Sequence, residues 1–292
     1  MSNTDHAGVR ITVIGLNARG AALASALAAA GNTVTVWDEA GQSDKEHVAA
    51  DASRAGSLEV AFAAAALIIL CVEDYEAARR ILERADRHAV HDVVNLTSGT
   101  SAQARETATW LVNGGGCYLD GALMAHPEHV GKHDTVLVYS GSEEVFNRHA
   151  AVLGQLGGAT YLGPDAGVAA LYDLAMLNFA WATLTGFLHT VALLGTAQVQ
   201  ARTVAPLLQH WLSTTITEVI TDYAWQVDAR EYPGDEEWLE LDAPLMDHLV
   251  HASEEHGLDT ALPQLIRALT SKGIAAGHGK DSYASLIEIM RN

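Results

Sequence analysis

Two patterns of apolar and polar positions divide this chain near residue 165. Before that point, short runs of β-branched and large apolar residues alternate with Ala-rich stretches of helical composition. The runs at 9–14, 33–37, 67–72, 93–96, 118–122 and 135–139 predict strands, and 18–30, 76–87 and 102–112 predict helices between them. Gly31 stands where a helix-ending glycine belongs. Strands regularly alternating with helices imply an α/β fold, a doubly wound parallel sheet with helices on both faces.

After residue 165 the strand-like runs stop and helical periodicity continues to the end. The expected organisation is a Rossmann-type domain over 1–164 and an all-helical domain over 165–292. The segment 167–198 is apolar on nearly every face, so other helices or a second subunit must wrap it, and a homodimer is the economical solution. Turns are expected at Tyr232-Pro233-Gly234-Asp235, at Pro263 and at Gly277-His278-Gly279. The stretches 60–72 and 174–188 fall short of the roughly 20 residues that cross a bilayer, so both read as buried segments rather than membrane spans.

Charge narrows the choice of partner. With 17 basic and 36 acidic residues the formal net charge is −19, and with 49% hydrophobic residues a real core is available. Nucleic acid and anionic membranes need clustered Lys and Arg, so a small molecule is the expected partner. Cys71 and Cys117 are the only cysteines, and residues 1–10 carry no secretory pattern; a reducing, cytoplasmic setting is expected.

The turn after the first strand reads Gly15-Leu16-Asn17-Ala18-Arg19-Gly20, where a dinucleotide fold places G-x-G-x-x-G. Asn17 replaces the middle glycine, and its side chain is expected to occupy space the pyrophosphate would use. Arg19 and the helix N-terminal amides can supply compensating attraction. Asp38 and Glu39 end the second strand, where an acid accepts from a ribose 2′-hydroxyl and repels a 2′-phosphate; NAD(H) is therefore expected over NADP(H). An ordinary acidic turn is the other reading of that pair.

Asn95-Leu96-Thr97-Ser98-Gly99-Thr100 and Leu119-Asp120-Gly121-Ala122-Leu123-Met124-Ala125 are joined by three later segments: Leu171-Tyr172-Asp173-Leu174-Ala175, Gly186-Phe187-Leu188-His189, and Ala275-Ala276-Gly277-His278-Gly279 leading to Asp281-Ser282. Together they resemble the imine reductases, relatives of the β-hydroxyacid dehydrogenases. The resemblance implies a Rossmann domain, a long interdomain helix, and a helical bundle exchanged between two subunits. It implies hydride transfer from a reduced nicotinamide to a C=N bond, giving an amine. Asp173 matches the proton donor or iminium anchor, and Cys71, Val72 and Glu73 match a segment that lines the cofactor.

On a helix of Leu, Met, Phe and Trp, desolvation favours the neutral acid at Asp173, which can donate a proton; ionised, it can hold an iminium cation. The other reading of Asp173 is a buried acid capped by a neighbouring group. Trp181 and Met246 are candidate pocket walls, with core packing the alternative for Trp181. Thr97 and Ser98 either contact the nicotinamide carboxamide or substrate nitrogen, or form a turn into the next helix. Asn95 belongs to the same candidate cofactor edge. Met124 is placed to touch the nicotinamide or to fill core.

Departures from the family pattern cluster at the cofactor end. Asn17 stands for the usual glycine, Arg19 for Met, and Asp38-Glu39-Ala40 for an Asn-Arg-Thr run that grips the 2′-phosphate. They leave two alternatives open: an imine- or amine-binding protein without nicotinamide, and a ketone reductase using the same pocket. His126, His129 and His133 are spaced like a metal site, but Pro127 interrupts any shared helix face, and no metal is expected. The relatives' lysine position holds Leu171, against alcohol oxidation by that route.

Overall fold

A computed structural model describes residues 8–40, 51–85 and 91–291. The chain divides into two compact units, Met1–Phe179 and Ala180–Asn292.

In the first unit the strands are β1 (Arg10–Ile14), β2 (Thr33–Trp37), β3 (Ser53–Arg54), β4 (Leu67–Leu70), β5 (Asp92–Asn95), β6 (Cys117–Leu123), β7 (Val136–Gly141) and β8 (Gly158–Tyr161). They form one sheet in the order β3-β2-β1-β4-β5-β6-β7-β8. Helices α1 (Ala18–Ala29), α2 (Leu58–Ala64), α3 (Tyr75–Arg84), α4 (Ser101–Asn113) and α5 (Glu143–Leu153) connect the strands. The order reverses between β1 and β4, the switch point where doubly wound sheets open a ligand crevice at their carboxyl ends.

The sequence explains the layering. β4 is Leu-Ile-Ile-Leu, buried throughout, as a central parallel strand must be. Leu67 and Ile69 pack with Leu23 and Leu27 of α1 on one face, while Ile68 and Leu70 pack with Phe62 of α2 and Ile81 of α3 on the other. Side-chain caps start the helices: Ser57, Asp74, Thr100 and Ser142 accept from N3 amides, and Thr100 with Gln103 completes a capping box.

Three features depart from expectation. β7 runs antiparallel to β6, because the connection at 124–135 contains no crossover helix that could return the chain in parallel. β3, β8, α2 and α5 were not expected; β3 is two residues long, and Gly-Ala-Thr-Tyr in β8 carries no strong alternation. The apolar stretch 174–188, expected to be buried, is exposed or half-buried in the single chain, along the expected long helix, α6 (Gly167–Gly195), because its apolar side chains run round the whole helix. Among the described residues this helix is long and apolar enough, by length and composition, to cross a membrane.

The second unit contains the rest of α6, then α7 (Ala201–Trp211), α8 (Thr217–Ala229), α9 (Leu239–Glu255), α10 (Ala261–Gly273) and α11 (Leu286–Met290). The Tyr232–Asp235 turn falls between α8 and α9, after Arg230 closes α8 in a left-handed conformation. Pro263 sits in the first turn of α10 rather than outside it, a position that needs no amide donor. Large apolar side chains remain exposed: Trp225 at 76%, Leu207 at 69%, Trp181 at 66% and Leu188 at 65%.

Candidate active site

The β1–α1 turn is built by backbone requirements. Gly15 has φ +95°, and a Cβ there would lie 2.2 Å from the Cys71 carbonyl oxygen. A Cβ on Gly20 would lie 2.1 Å from the Gly15 carbonyl oxygen, so α1 packs against the turn only with glycine at both places. Asn17 is the N-cap of α1: its Oδ1 accepts from the Arg19 and Gly20 amides at 3.1 and 3.0 Å, and its Nδ2 donates to the Cys71 carbonyl at 2.9 Å. The Asn17 side chain is thus directed onto backbone, not into the crevice as expected. Helix geometry leaves the Asn17 and Ala18 amides to meet an anion. Burial pushes the Cys71 thiol up to about 11, so it stays neutral.

At the ends of β1, β2 and β4 an open cleft of about 440 Å³ is lined by Gly15, Asp38, Glu39, Val72, Glu73 and Arg80, among others. Asp38 Oδ2 accepts from the Leu16 amide at 2.7 Å and Oδ1 from the Ala40 amide at 2.9 Å. Glu39 is ion-paired with Arg84, and its other oxygen lies 3.8 Å from Arg80. Neither carboxylate is an uncompensated charge: one stitches its loop and the other is paired to α3.

The ends of β5 and β6 hold a buried polar cluster. Asn95 and Asp120 are register partners. Asp120 Oδ1 accepts from the Tyr75 hydroxyl at 2.6 Å, the Tyr118 hydroxyl at 2.7 Å and Asn95 Nδ2 at 3.3 Å. Asn95 Oδ1 accepts from the Thr97 amide at 3.2 Å, and Thr97 Oγ1 accepts from the Val72 amide at 3.1 Å. The cluster therefore ties together the chain leaving β4, β5 and β6. Burial raises the Asp120 carboxyl to about 7, with the charge of Asp173 adding to the effect and the three donors opposing it.

Asp173 lies on α6 and is only 5% exposed, while its neighbours from Leu171 to Leu177 are otherwise exposed. Its side chain forms no hydrogen bond with a described residue, so no group among them caps it. Ser98 is half-buried beside Thr97, and Met124 packs on Ala122, Val138 and Ala169. In the second unit, exposed Trp181 lies on α6 and half-buried Met246 on α9. His126 and His129 flank a single turn with ring centroids 6.4 Å apart, and among the described residues no group of three ligands is placed to hold a metal.

Residues 10–163 match the NAD binding domain of 6-phosphogluconate dehydrogenase, and residues 165–292 match the C-terminal domain of NADPH-dependent reductive aminase-like proteins. Over 290 residues the chain is 33% identical to an NADPH-dependent reductive aminase of Aspergillus oryzae, covering 96% of this chain and 97% of the relative. The chain belongs to the reductive aminase and imine reductase family. A reductive aminase from Aspergillus terreus, solved with NADPH and ethyl levulinate, superposes at TM-score 0.90 with 32% identity, covering 97% and 100% of the two chains. An imine reductase from Myxococcus stipitatus, solved with NADP⁺, gives TM-score 0.89 at 30% identity, covering 96% and 99%. The family consists of oxidoreductases that reduce C=N bonds with NAD(P)H, and the cofactor-free alternative finds no support in it.

These relatives overturn the expectation of NAD(H) over NADP(H): they carry NADPH or NADP⁺. The physical reason lies in the compensated pair described above. Asp38 and Glu39 are not two bare carboxylates facing a 2′-phosphate, because their charges are engaged by backbone amides and by Arg80 and Arg84. The Gly15 turn, the Asn17 and Ala18 amides at the start of α1 and the cleft beside Val72 fit a dinucleotide. Sequence reasoning passed over Tyr75, Tyr118 and Asp120 as a group. Their signal was an acid inside the apolar run at 118–123, on the strand next to Asn95.

Proposed function

We propose that this chain is an NADPH-dependent reductase of imines, acting on cyclic imines and on imines formed from a carbonyl compound and a small amine. The observation that carries this is Asp173, a buried carboxyl without a hydrogen-bond partner among the described residues, electrostatically linked to the polar cluster at the ends of β5 and β6. Bound NADPH would supply a hydride to the C=N carbon. Gly15, Asn17, Ala18, Arg19 and Gly20 would hold its diphosphate, and Val72, Glu73, Asn95, Thr97 and Met124 would line its path to the nicotinamide.

Asp173 protonates the imine nitrogen or, already ionised, holds the iminium cation against the greasy helix; in either case the nitrogen gains one proton and the carbon one hydride, giving a neutral amine. Ser98 orients the nitrogen as hydrogen-bond partner. Trp181 and Met246 form apolar walls, and Trp181 can stack on a cation. Burial of Asp173 excludes the water that would weaken its hold.

The working form is a domain-swapped homodimer in the cytoplasm. The exposed Trp225, Leu207, Trp181 and Leu188 support the assembly, because a monomer rarely leaves so much large apolar surface in water. A second copy covering α6 also accounts for its apolar length without a bilayer. The two free cysteines suit a reducing compartment.

The test is NADPH consumption with 1-pyrroline, compared with the matched ketone cyclopentanone. Faster turnover of the imine, lost in Asp173→Asn while NADPH still binds, supports the reading. Equal or faster turnover of the ketone would make the protein a carbonyl reductase instead.

A further inference from the structure

The Asp120 carboxyl is fully buried, and its two oxygens are treated unequally. Oδ1 receives all three donors of the cluster, while Oδ2 has no hydrogen-bond partner. The hydrogen-bonding and charged groups that act on it come from four elements. Tyr75 comes from α3, Tyr118 from its own strand, Asn95 from β5 and Asp173 from α6. Across on β7 its register partner is Ser140, whose hydroxyl donates to the Ala166 carbonyl and accepts from the Ala169 amide. No cation is among these groups. Burial without a cation favours the neutral acid, whereas the three donors on Oδ1 favour the carboxylate, so the two forms are set against each other.

We propose that Asp120 is a positioning residue that regulates the charge behind Asp173, keeping its proton while the site holds no cation and releasing it to solvent when an iminium or ammonium ion binds at Asp173. The inference rests on the reading of Asp173 as the cation anchor. With Asp120 neutral, an ionised Asp173 faces the ligand with one negative charge; with Asp120 ionised there are two, and a monocation is held more tightly. Binding of the cation and loss of the Asp120 proton are therefore linked, each favouring the other. The same side chain orients the cofactor edge, since Oδ1 holds Asn95, Asn95 holds the Thr97 amide and Thr97 holds the Val72 amide. Ionisation near neutral pH follows from burial opposed by those donors.

The experiment titrates the NADP⁺-loaded protein with pyrrolidine, a cyclic secondary amine that stays cationic throughout, by calorimetry in buffers of different ionisation enthalpy. Affinity is expected to rise roughly tenfold between about pH 5.5 and about pH 8.5, with roughly half a proton released on binding near the midpoint of the step and less at either end. Asp120→Asn keeps an acceptor for Tyr75 and Tyr118 but cannot ionise; it is expected to bind NADP⁺, to bind pyrrolidine with flat pH dependence, and to release no proton. Tyr75→Phe removes one donor to the ionised form and is expected to move the step to higher pH, which decides the matter even where Asp120→Asn fails to fold. A wild-type protein that binds pyrrolidine without a pH step, a step that survives Asp120→Asn, or one unmoved in Tyr75→Phe overturns the inference alone. Absence of pyrrolidine binding at every pH, with NADP⁺ bound, overturns Asp173 as anchor and the inference with it.

Discussion

The hydroxyl of Tyr75, the first residue of α3, donates a 2.6 Å hydrogen bond to Oδ1 of Asp120 on β6, reaching across the end of β5. A carboxyl whose proton affinity is raised by folding opposes folding wherever it must ionise. Below its ordinary value of 3.8 both states are protonated and the group contributes nothing. As pH rises from there to about 7 the unfolded chain ionises first, so this contribution to stability falls and then levels off. Thermal melts of wild type are expected to show a lower Tm at pH 8 than at pH 5 from this source, and Asp120→Asn is expected to remove that part of the difference. An unchanged slope in the variant would mean that Asp120 does not hold its proton in the fold.

Asn17 is expected to act as a cap more than as an obstacle. Asn17→Ala loses the bonds to Arg19, Gly20 and Cys71 and is expected to cost about 1 kcal/mol of stability by urea unfolding. Gly15→Ala is expected to be the more damaging of the two. Its φ of +95° and the nearby Cys71 carbonyl leave no room for a methyl group, so NADPH binding should be lost along with stability.

Glu39 competes with any 2′-phosphate for the α3 arginines. Glu39→Gln leaves the loop geometry to Asp38 and frees Arg84 and Arg80. Fluorescence titration is expected to show NADPH tightening several-fold relative to NADH, on the order of one exposed charge pair. Equal changes for both cofactors would place the 2′-phosphate elsewhere.

The exposed apolar surface of α7 and α8 gives a test of assembly. Sedimentation of the wild type is expected at twice the chain mass. Leu207→Glu with Trp225→Glu is expected to shift it toward monomer, because each buries a large side chain in the assembled form, worth roughly 1.5–3 kcal/mol apiece. A wild-type monomer at micromolar concentration would leave that surface unexplained by self-association.

Much of the first unit was legible because burial on both sides of a parallel sheet forces a simple pattern. Leu67 to Leu70 could hardly be anything but a central strand, and Gly15 and Gly20 mark a turn that no other residue permits. What escaped was whatever depends on pairing across space. Asp38 and Glu39 read as bare acids because the sequence does not place Arg84 beside Glu39 or the Leu16 amide beside Asp38. Asp120 read as one letter of a motif, since Tyr75 and Asn95 lie 45 and 25 residues from it in the chain. The antiparallel β7 escaped because strand direction is set by the connection, not by the strand's own residues.

Transfer of deuterium from NADPH carrying deuterium at both C4 positions to 1-pyrroline probes the chemistry most directly. The label should appear on C2 of pyrrolidine, and Asp173→Asn should slow its appearance by roughly 10²–10⁴-fold while binding NADPH nearly as well. Product without label, or an Asp173→Asn variant that transfers it at the wild-type rate, would contradict reduction of the C=N bond at Asp173.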